Sequence, residues 1–582
     1  MIHTSTFAED DFSCRVAMAA LRLLDEADVA GRCRALGDHW LPALRALVDR
    51  HPGVLKAVRG QGLMLGLEFQ PQTQSPSNVI RMLSDHGYLG YVVAGYLLHE
   101  AGFRVAPTLS ATTTIRLEPS AFIDPAHLDR FVGAVDRLCE ILEKGNACRL
   151  VRYVVGLADP SDASPIEDFR GHPAAPRREA PRCEKRVAFL GHFISAKDAM
   201  LWEPSLTLLP PGAAERFQLA THRIFGPTIY DQVHVTSAIG ETVHLSFIGI
   251  NLTSKAIEAA LRARDGDWVL QLIEEGVAKA KDAGCQVVGL GGYTSIVADN
   301  GKRLTAQGVT LTTGNSLTVG MGVAALRQGA AERGIDMSRA CLGVIGATGN
   351  IGSVYARMMA DEVPRLVLVG REAGSRLKQV ACRIYEDALV KLASGQLPTG
   401  VAAAIAPTRA VSELLAQSPD GRGEKLGDRL FEALASELGE AAPIVLTADL
   451  DRLQACQLIV TASNSAPPLV YPRHLSPGPV VICDISVPED VAPEVGAERP
   501  DVLVLKGGLV AVPNDPAYRI GGIPLPEGHA FACMSETLLL GLMGAREHFS
   551  YGPVVPEKVK QAMAWAELNG FKLGGFKVDR SY

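Results

Sequence analysis

The chain has 582 residues, room for roughly three to five domains at about 100–200 residues each. Hydrophobic residues make up 47 % and charged residues 21 %, close to the soluble globular average, which excludes long disordered, collagen-like and coiled-coil readings. A net charge of -7 argues against a nucleic-acid partner, and the longest uncharged apolar stretch, residues 87–98, is well short of the ~20 residues of a membrane-spanning helix.

The N-terminus (MIHTSTFAEDDF) has neither a basic nor an apolar export region, so a cytoplasmic address is expected. Residues 8–48 read as helix, with Phe12, Val16, Ala20 and Leu23 and then Leu36, Leu41, Leu44 and Leu47 on apolar stripes. A strand at 62–69, a helix around 92–100, a strand near 113–117 and a helix at 127–143 complete a small α+β domain, residues 1–150. A linker is assigned to 151–184, where prolines 160, 165, 173, 176 and 181 interrupt a run with few large apolar residues. Its Arg177, Arg178 and Arg182 read as a solvated charge run.

Dense periodicity then returns. A strand at 187–191, an alternating pair around Gly240, a long helix near 257–283 and a strand at 286–290 predict an α/β substrate domain over 185–335, closed by a helix near 319–332. Strands at 342–345, 366–369, 458–461, 480–484 and 502–505 predict a second α/β domain, 336–530. A C-terminal helical segment, 531–582, carries a helix at 535–544.

Gly346-Ala-Thr-Gly-Asn-Ile-Gly352 follows a strand and opens a helix, the context in which such a pattern means dinucleotide binding. Gly346 permits the tight turn, Gly349 the approach of a pyrophosphate to the helix N-terminus, and Gly352 close helix–strand packing, with Thr348, Asn350 and Ile351 between them. Arg371, just past the second strand, takes the position where an acidic residue would bind the ribose of NAD; a guanidinium suits a 2′-phosphate, so NADP(H) is expected. The eleven cysteines lack CxxC pairing, which fits reduced thiols and predicts no metal site. Among them Cys533 stands at a helix start, where peptide N–H groups are expected to lower a thiol pKa; a thiolate there could accept an acyl group and yield an aldehyde on hydride delivery. His192 closes the first strand of the substrate domain, and Ser295, Thr313 and Asn315 lie on glycine-bearing loops able to hydrogen-bond a thioester oxygen; each of these four is equally readable as structural, whereas His529, four residues before Cys533 and attractive as a base, reads more readily as structural than as catalytic.

From about residue 187 to 576 the chain resembles the long-chain fatty acyl-carrier-protein reductases of cyanobacteria, in Gly191-His192, Leu290-Gly-Gly-Tyr-Thr-Ser-Ile-Val297, Thr312-Thr-Gly-Asn315, the glycine motif, Leu505-Lys-Gly-Gly508 and Phe531-Ala-Cys533. The resemblance implies a substrate domain beside a Rossmann domain, NADPH as reductant, acyl-carrier protein or acyl-CoA as acyl donor, and Cys533 as the acylated nucleophile. Between Arg371 and Cys456 the chain is longer than the family pattern, with an extra helical excursion and a polar loop near 418–425.

The first 145 residues resemble the C-terminal segment of class III pyridoxal-phosphate-dependent aminotransferases, in His3-Thr-Ser-Thr-Phe7, Val58-Arg-Gly-Gln-Gly-Leu-Met-Leu-Gly66 and Thr114-Ile-Arg116. That implies Thr6 on the cofactor phosphate of a neighbouring subunit and Arg116 on a substrate carboxylate. The Schiff-base lysine belongs upstream of His3, and Lys56 and Lys144 fall in the wrong places. Pyridoxal phosphate is thus expected only if an upstream domain or a partner chain supplies the lysine, and the start reads as truncated or the gene as split. The whole resembles the tail of a fused transaminase and thioester reductase of tambjamine-type pathways, with the N-terminal domain available to a second copy or a partner aminotransferase. Two alternatives stand beside this reading: an oxidoreductase of the shikimate-dehydrogenase or glutamyl-tRNA-reductase type, which shares the Asp484-Ile-Ser-Val-Pro488 run, and a non-catalytic NADP-binding scaffold.

Overall fold

The structure is a computed structural model that describes residues 10–172, 184–305, 308–465 and 467–575. It is mixed α/β and divides into two compact units, one from residues 1–176 with 199–225, the other from 177–198 with 226–582. Segment 199–225, which the sequence reading assigns to the substrate domain, thus packs into the first unit.

In the first unit the predicted helix over 8–48 is two helices, α1 (Asp11–Glu26) and α2 (Val29–Arg50). Asp28 breaks them: its backbone is left-handed (φ 45°) and its carboxylate accepts from the Gly31 N–H, starting α2 anew. The predicted strand at 62–69 is the second arm of a hairpin, β1 (Leu55–Gln61) and β2 (Met64–Phe69), turned at Gly62 (φ +59°). With β3 (Ala106–Pro107) and β4 (Thr114–Leu117) they form an antiparallel sheet in the order β1-β2-β4-β3. Leu65, Leu67, Phe69, Ile115 and Leu117 are buried at strand spacing; α2, with Trp40, Leu44 and Leu47 buried, packs on β1 and on α5 (Pro125–Glu143), whose Leu128, Phe131 and Val135 are buried, while α4 (Leu89–Ala101) packs on β3, β4, α5 and α3 (Asn78–Asp85). Helix α1 buries none of its residues; Phe12 is 75 % and Leu23 65 % exposed.

The described part of the predicted linker, 151–172, is held by arginines. Arg149 pairs with Asp162, Arg152 with Glu100 at 2.7 Å, and Arg137 donates to the Ser164 carbonyl at 2.8 Å. The prolines at 173, 176 and 181 and the arginines at 177, 178 and 182 lie outside the described residues. Segment 199–225 is fastened by Glu203, a buried carboxylate that accepts from the Ser77 hydroxyl at 2.7 Å, the Val79 N–H at 3.0 Å and the Ser205 hydroxyl at 2.6 Å. Burial raises its pKa, and these three donors offset part of that cost.

The second unit opens with β5 (Arg186–Phe193), β6 (Thr228–Thr236), β7 (Thr242–Thr253), β8 (Val287–Leu290) and β9 (Thr310–Thr312). Their order is β6-β7-β5-β8-β9, parallel except for the edge strand β6. The single helix predicted near 257–283 is again two, α6 (Ser254–Arg262) and α7 (Asp267–Asp282), because Arg264 takes a left-handed conformation between them.

A second sheet has six strands, all parallel: β10 (Cys341–Ile345), β11 (Arg365–Val369), β12 (Ile444–Thr447), β13 (Leu458–Thr461), β14 (Val480–Asp484) and β15 (Val502–Lys506). Their order, β12-β11-β10-β13-β14-β15, reverses at β10, which makes the gap between β10 and β13 the topological switch point where ligands of such sheets bind. Both faces are covered. Leu342, Val344, Leu366, Leu368, Leu458 and Val460 belong to one apolar cluster, and the alternate residues Ile345, Val367, Val369 and Ile459 to another. Four helices, over Ser375–Ala393, Gly400–Ile405, Arg409–Gln417 and Leu426–Leu438, fill the excursion before β12. A small antiparallel sheet of β16 (Leu509–Ala511), β17 (His529–Phe531) and β18 (Lys572–Leu573) leads into the closing helices.

Candidate active site

Four helices frame the candidate site: α8 (Asn315–Glu332), α9 (Asn350–Met359), α10 (Ala532–Leu542) and α11 (Pro556–Asn569). The glycine motif occupies the switch point, turning from β10 into α9. Gly346 has φ +75°, and a Cβ there would come within 2.5 Å of the Ala462 carbonyl oxygen in the loop after β13. A Cβ on Gly352 would lie 2.4 Å from the Gly346 carbonyl oxygen, so helix and turn are in backbone contact. Gly349 differs: it is exposed, and its absent Cβ would meet only the Gly346 carbonyl, at 3.2 Å, and the Ala462 carbonyl, at 3.8 Å. Thr348 is also exposed, Ile351 is half-buried, and Arg371 is exposed two residues past β11. The side chain of Asn350 is occupied elsewhere. It donates to Asn300 Oδ1 at 3.1 Å and to the Gly552 carbonyl at 2.9 Å, and it accepts from the Val554 N–H at 2.9 Å.

Cys533 is the second residue of α10, against the turn that starts α8: a Cβ built on Gly314 would sit 2.1 Å from the Cys533 Cα. Gly314 has φ +74°, so glycine is required there on both counts. Asn315 follows directly, buried, and its amide makes no side-chain hydrogen bond among the described residues. The lowered thiol pKa expected from the helix start is not what the free protein has. The N–H groups of Cys533 and Met534 do pull it down, but burial outweighs them, the carboxylate of Glu536 adds to the rise, and the thiol is pushed up to about 12.

Glu536, one turn after Cys533, was not singled out by sequence reasoning. Its carboxylate accepts from the Thr312 hydroxyl and, at 2.7 Å, from the Leu317 N–H, tying α10 to the start of α8. Ser550 completes the knot, donating from N–H to Thr312 Oγ1 at 3.2 Å and accepting at its carbonyl from the Thr313 N–H at 2.9 Å and hydroxyl at 3.0 Å. Thr313 is thereby committed to the scaffold. The available signal was composition: Glu536 is the one charged residue in the otherwise uncharged run of α10.

His192, near the end of β5, and Ser295, just past β8, both bond to the turn that follows β8. His192 Nε2 accepts from the Tyr293 N–H at 3.0 Å, so Nδ1 carries the proton and donates to the Phe193 carbonyl at 2.9 Å. Burial lowers its pKa, keeping the ring neutral. The Ser295 hydroxyl donates to the Gly292 carbonyl at 2.7 Å. Both side chains thus shape the turn that presents Tyr293, and neither hydrogen-bonds Cys533. His529 sits in β17 with Nδ1 donating to the Glu527 carbonyl at 2.8 Å.

The loop after β13 is braced by two further carboxylates. Asp484 accepts from the Thr461 hydroxyl at 2.6 Å and the N–H groups of Ser486, Asp490 and Val491 at 3.0–3.2 Å; burial pushes it up to about 6. Asp490 accepts from the Ser463 hydroxyl at 2.7 Å and the Ser463 N–H at 3.2 Å. Ala462, which closes on Gly346, is thereby fixed in place.

In the first unit Thr6 lies outside the described residues. Arg116 is exposed on β4, 3.8 Å from Glu118. The two lysines of residues 1–172 are paired, Lys56 with Glu68 at 2.7 Å and Lys144 with Glu140 at 2.6 Å. No group of three or more metal-ligating side chains occurs among the described residues, and no described helix is long and apolar enough to cross a membrane.

Residues 1–137 match the family model for class-III aminotransferases. Over 359 residues, 60 % of this chain and 87 % of the relative, the sequence is 26 % identical to the long-chain acyl-[acyl-carrier-protein] reductase of Synechococcus elongatus. Two likenesses thus meet in one chain. The aminotransferase PigE of a Serratia species, 27 % identical over 313 residues, aligns with 53 % of this chain, which in turn spans only 30 % of PigE. Among solved structures, the acetylornithine aminotransferase of Elizabethkingia anophelis aligns with 24 % of this chain and 31 % of its own, at 24 % identity and a TM-score of 0.19. The family model and the two sequence relatives correspond to an aminotransferase segment joined to an acyl-carrier-protein-reductase-like segment.

Proposed function

We propose that the chain is an NADPH-dependent acyl-thioester reductase that converts fatty acyl-carrier protein or acyl-CoA to aldehyde through an acyl group carried on Cys533, preceded by an aminotransferase small domain. The observation that carries this reading is the contact of Cys533 with the Gly314–Asn315 turn in the same unit as the glycine turn at the switch point.

The glycine turn suits a dinucleotide. Gly346 and Gly352 close on neighbouring backbone, Gly349 is open, and the turn begins a helix. Gly349 with the N–H groups of Asn350 and Ile351 would hold the pyrophosphate, the Thr348 hydroxyl would lie beside it, and Arg371 would take the 2′-phosphate. Bound NADPH supplies the hydride that reduces the acyl group. Cys533 Sγ attacks the thioester carbonyl carbon; the bond to the carrier sulfur breaks, and the carrier leaves as a thiol with the proton that Cys533 gave up. Asn315, next to the Gly314 that Cys533 contacts, would donate to the carbonyl oxygen as charge develops there. When the aldehyde leaves, Cys533 regains a proton. His192 and Ser295 act through the Tyr293 turn, as positioning residues.

Pyridoxal phosphate does not fit the described residues of the first unit, whose lysines are tied to carboxylates at its sheet and helix surfaces. Transamination would need a lysine from another domain or chain, with Thr6 and Arg116 contributing to that combined site. The domain scheme with substrate (185–335, less residues 199–225, which pack into the first unit), Rossmann NADP-binding (336–530) and nucleophile-bearing (531–582) parts, and a cytoplasmic location, belong to the same proposal.

The test is NADPH oxidation with palmitoyl-CoA and with acyl-carrier protein, with aldehyde quantified. Without NADPH, one acyl group should accumulate on the Cys533 peptide, and Cys533→Ala should abolish turnover while still binding NADPH. Substantial turnover in that variant would sink the covalent scheme; no oxidation with any acyl thioester would sink the reductase reading.

A further inference from the structure

The ten described cysteines are all free, and one pair of them is in contact: Cys341 Sγ and Cys456 Sγ stand 3.6 Å apart, joined by a thiol hydrogen bond. That separation is about 1.5 Å more than the ~2.05 Å of a disulfide. The sheet brings them together. Cys341 opens β10, and Cys456 follows the short helical turn Leu450–Ala455, two residues before β13; the parallel register that sets Leu342 beside Leu458 places both thiols at the same end of adjoining strands. Both belong to the apolar cluster on one face, with Ile345, Val367 and Ile459. Gly343, two residues on from Cys341, leaves the room for this: a Cβ there would lie 3.3 Å from Cys456 Sγ and 2.5 Å from Leu453 Cδ2.

The two thiols are not equivalent. Cys456 is fully buried, whereas Cys341 keeps 8 % of its surface open. Arg365, the exposed first residue of β11, is the register partner of Cys341, so the two side chains leave the sheet on the same face. The hydrogen bond from Cys456 and the Arg365 charge outweigh burial and hold the Cys341 thiol below its ordinary value, while the same bond and burial push Cys456 up. Elsewhere burial raises the thiols of Cys139, Cys148, Cys285, Cys382, Cys483 and Cys533. No other described cysteine has a second thiol within hydrogen-bond reach.

We propose that Cys341 and Cys456 form an oxidation site that reacts with hydrogen peroxide and closes to a disulfide between β10 and β13. The Cys341 thiolate attacks one peroxide oxygen; the O–O bond breaks, the departing hydroxide takes up the proton that Cys341 gave up and leaves as water, and Cys341 carries a sulfenic acid. Cys456 Sγ then attacks the Cys341 sulfur. The S–S bond forms, the S–O bond breaks, and the second hydroxide leaves as water with the Cys456 proton. The sulfurs lose two electrons in all and the peroxide gains them; a dithiol reductant reopens the bond by exchange. The cross-link sits at the ends of β10 and β13 opposite Gly346 and Ala462, and it does not depend on the reductase reading.

The test uses the full chain, reduced, freed of reductant, exposed to hydrogen peroxide, quenched with catalase, alkylated and mapped by peptide mass. The folded protein should yield a Cys341–Cys456 cross-linked peptide that dithiothreitol reopens, while Cys483 and Cys533 still alkylate as thiols; the chain unfolded in urea should scatter its disulfides instead. Cys456→Ala, first shown to keep its thermal midpoint, should hold a sulfenic acid on Cys341 that dimedone traps, and Cys341→Ala should leave Cys456 a free thiol. Arg365→Gln should slow cross-linking several-fold. Intact Cys341 and Cys456 thiols in the folded protein, at peroxide doses that oxidise the exposed Cys14, overturn the proposal, as does a cross-link that forms only in urea or a sulfenic acid on Cys456 in Cys341→Ala.

Discussion

The phenol of Tyr293 donates to the main-chain carbonyl of Asn464 at 3.2 Å, joining the turn after β8 to the loop after β13. His192 orients the turn through the Tyr293 N–H, and Asp490 orients the loop through Ser463, so a path of hydrogen bonds runs from one parallel sheet to the carbonyl that closes on Gly346. Tyr293→Phe removes one link without opening a cavity. At about 0.5–1.5 kcal/mol for such a bond, the Kd for NADPH should rise roughly two- to tenfold. Acylation of Cys533 in the absence of NADPH should keep its rate; NADPH titration by fluorescence and acyl-enzyme accumulation by intact mass, each on the variant beside the unaltered protein, check the two expectations.

The glycines of the motif should separate into two behaviours. Gly346→Ala puts a Cβ 2.5 Å from the Ala462 carbonyl oxygen at φ +75°, so the thermal midpoint should drop. Gly349→Ala meets its nearest neighbour at 3.2 Å and has space beyond, so it should fold with nearly the native midpoint and lose NADPH affinity. Native affinity in Gly349→Ala would remove the pyrophosphate from that spot.

Arg371→Glu should invert the coenzyme preference. A charge-assisted hydrogen bond is worth about 1.5–3 kcal/mol, so loss of the guanidinium should cost NADPH roughly ten- to a hundredfold in affinity, while NADH gains a ribose acceptor. Equal affinity of the unaltered protein for the two coenzymes would detach Arg371 from the 2′-phosphate.

The reactivity of Cys533 should be strongly pH-dependent. With the thiol pushed up to about 12, its thiolate fraction in the free protein grows about tenfold per pH unit between about pH 7 and 10, with no plateau there. Alkylation mapped to the Cys533 peptide should follow that slope. Glu536→Gln removes a negative charge that holds the proton on, so it should speed alkylation at fixed pH; a plateau near pH 8 in the unaltered protein would contradict the burial described above. The same raised pKa makes stability fall as pH climbs past the ordinary thiol value of 9.0, because the unfolded chain ionises first.

Long periodic segments were legible in the sequence: β10, β11, β13, β14 and β15 lie within a residue or so of their predicted positions, since continuous apolar runs bounded by turns leave little choice. What escaped depended on single backbone conformations. Asp28 and Arg264 each split a predicted helix by turning left-handed, which no apolar period records. Strand β12 escaped because Ile444–Thr447 is four residues long and follows a helical excursion. At the candidate site, the strand–turn–helix around the glycines and the place of Cys533 at a helix start were legible because both are written locally in the sequence, whereas the resemblance and not the helix start singled out the cysteine. The electrostatics were not. Whether burial or peptide N–H groups govern the Cys533 thiol depends on what packs over it, and Gly314 and Glu536 are respectively 219 residues before it and one turn beyond it. His192 stood out by residue type, yet both ring nitrogens prove committed to backbone.

Glu203 lies downstream of residues 173–183, yet it completes the N-terminal unit by covering the Ser77 hydroxyl and the Val79 amide. During synthesis that unit therefore cannot finish when residue 176 leaves the ribosome. It must wait for residue 225, a delay of a few seconds at roughly 5–20 residues per second. For the same reason a protease nick between 173 and 183 would not free an intact N-terminal unit, and a gene fragment cut there would lack the carboxylate that its own α3 requires. A fragment meant to fold independently has to be assembled from two pieces of the gene rather than ended at the proline-rich stretch.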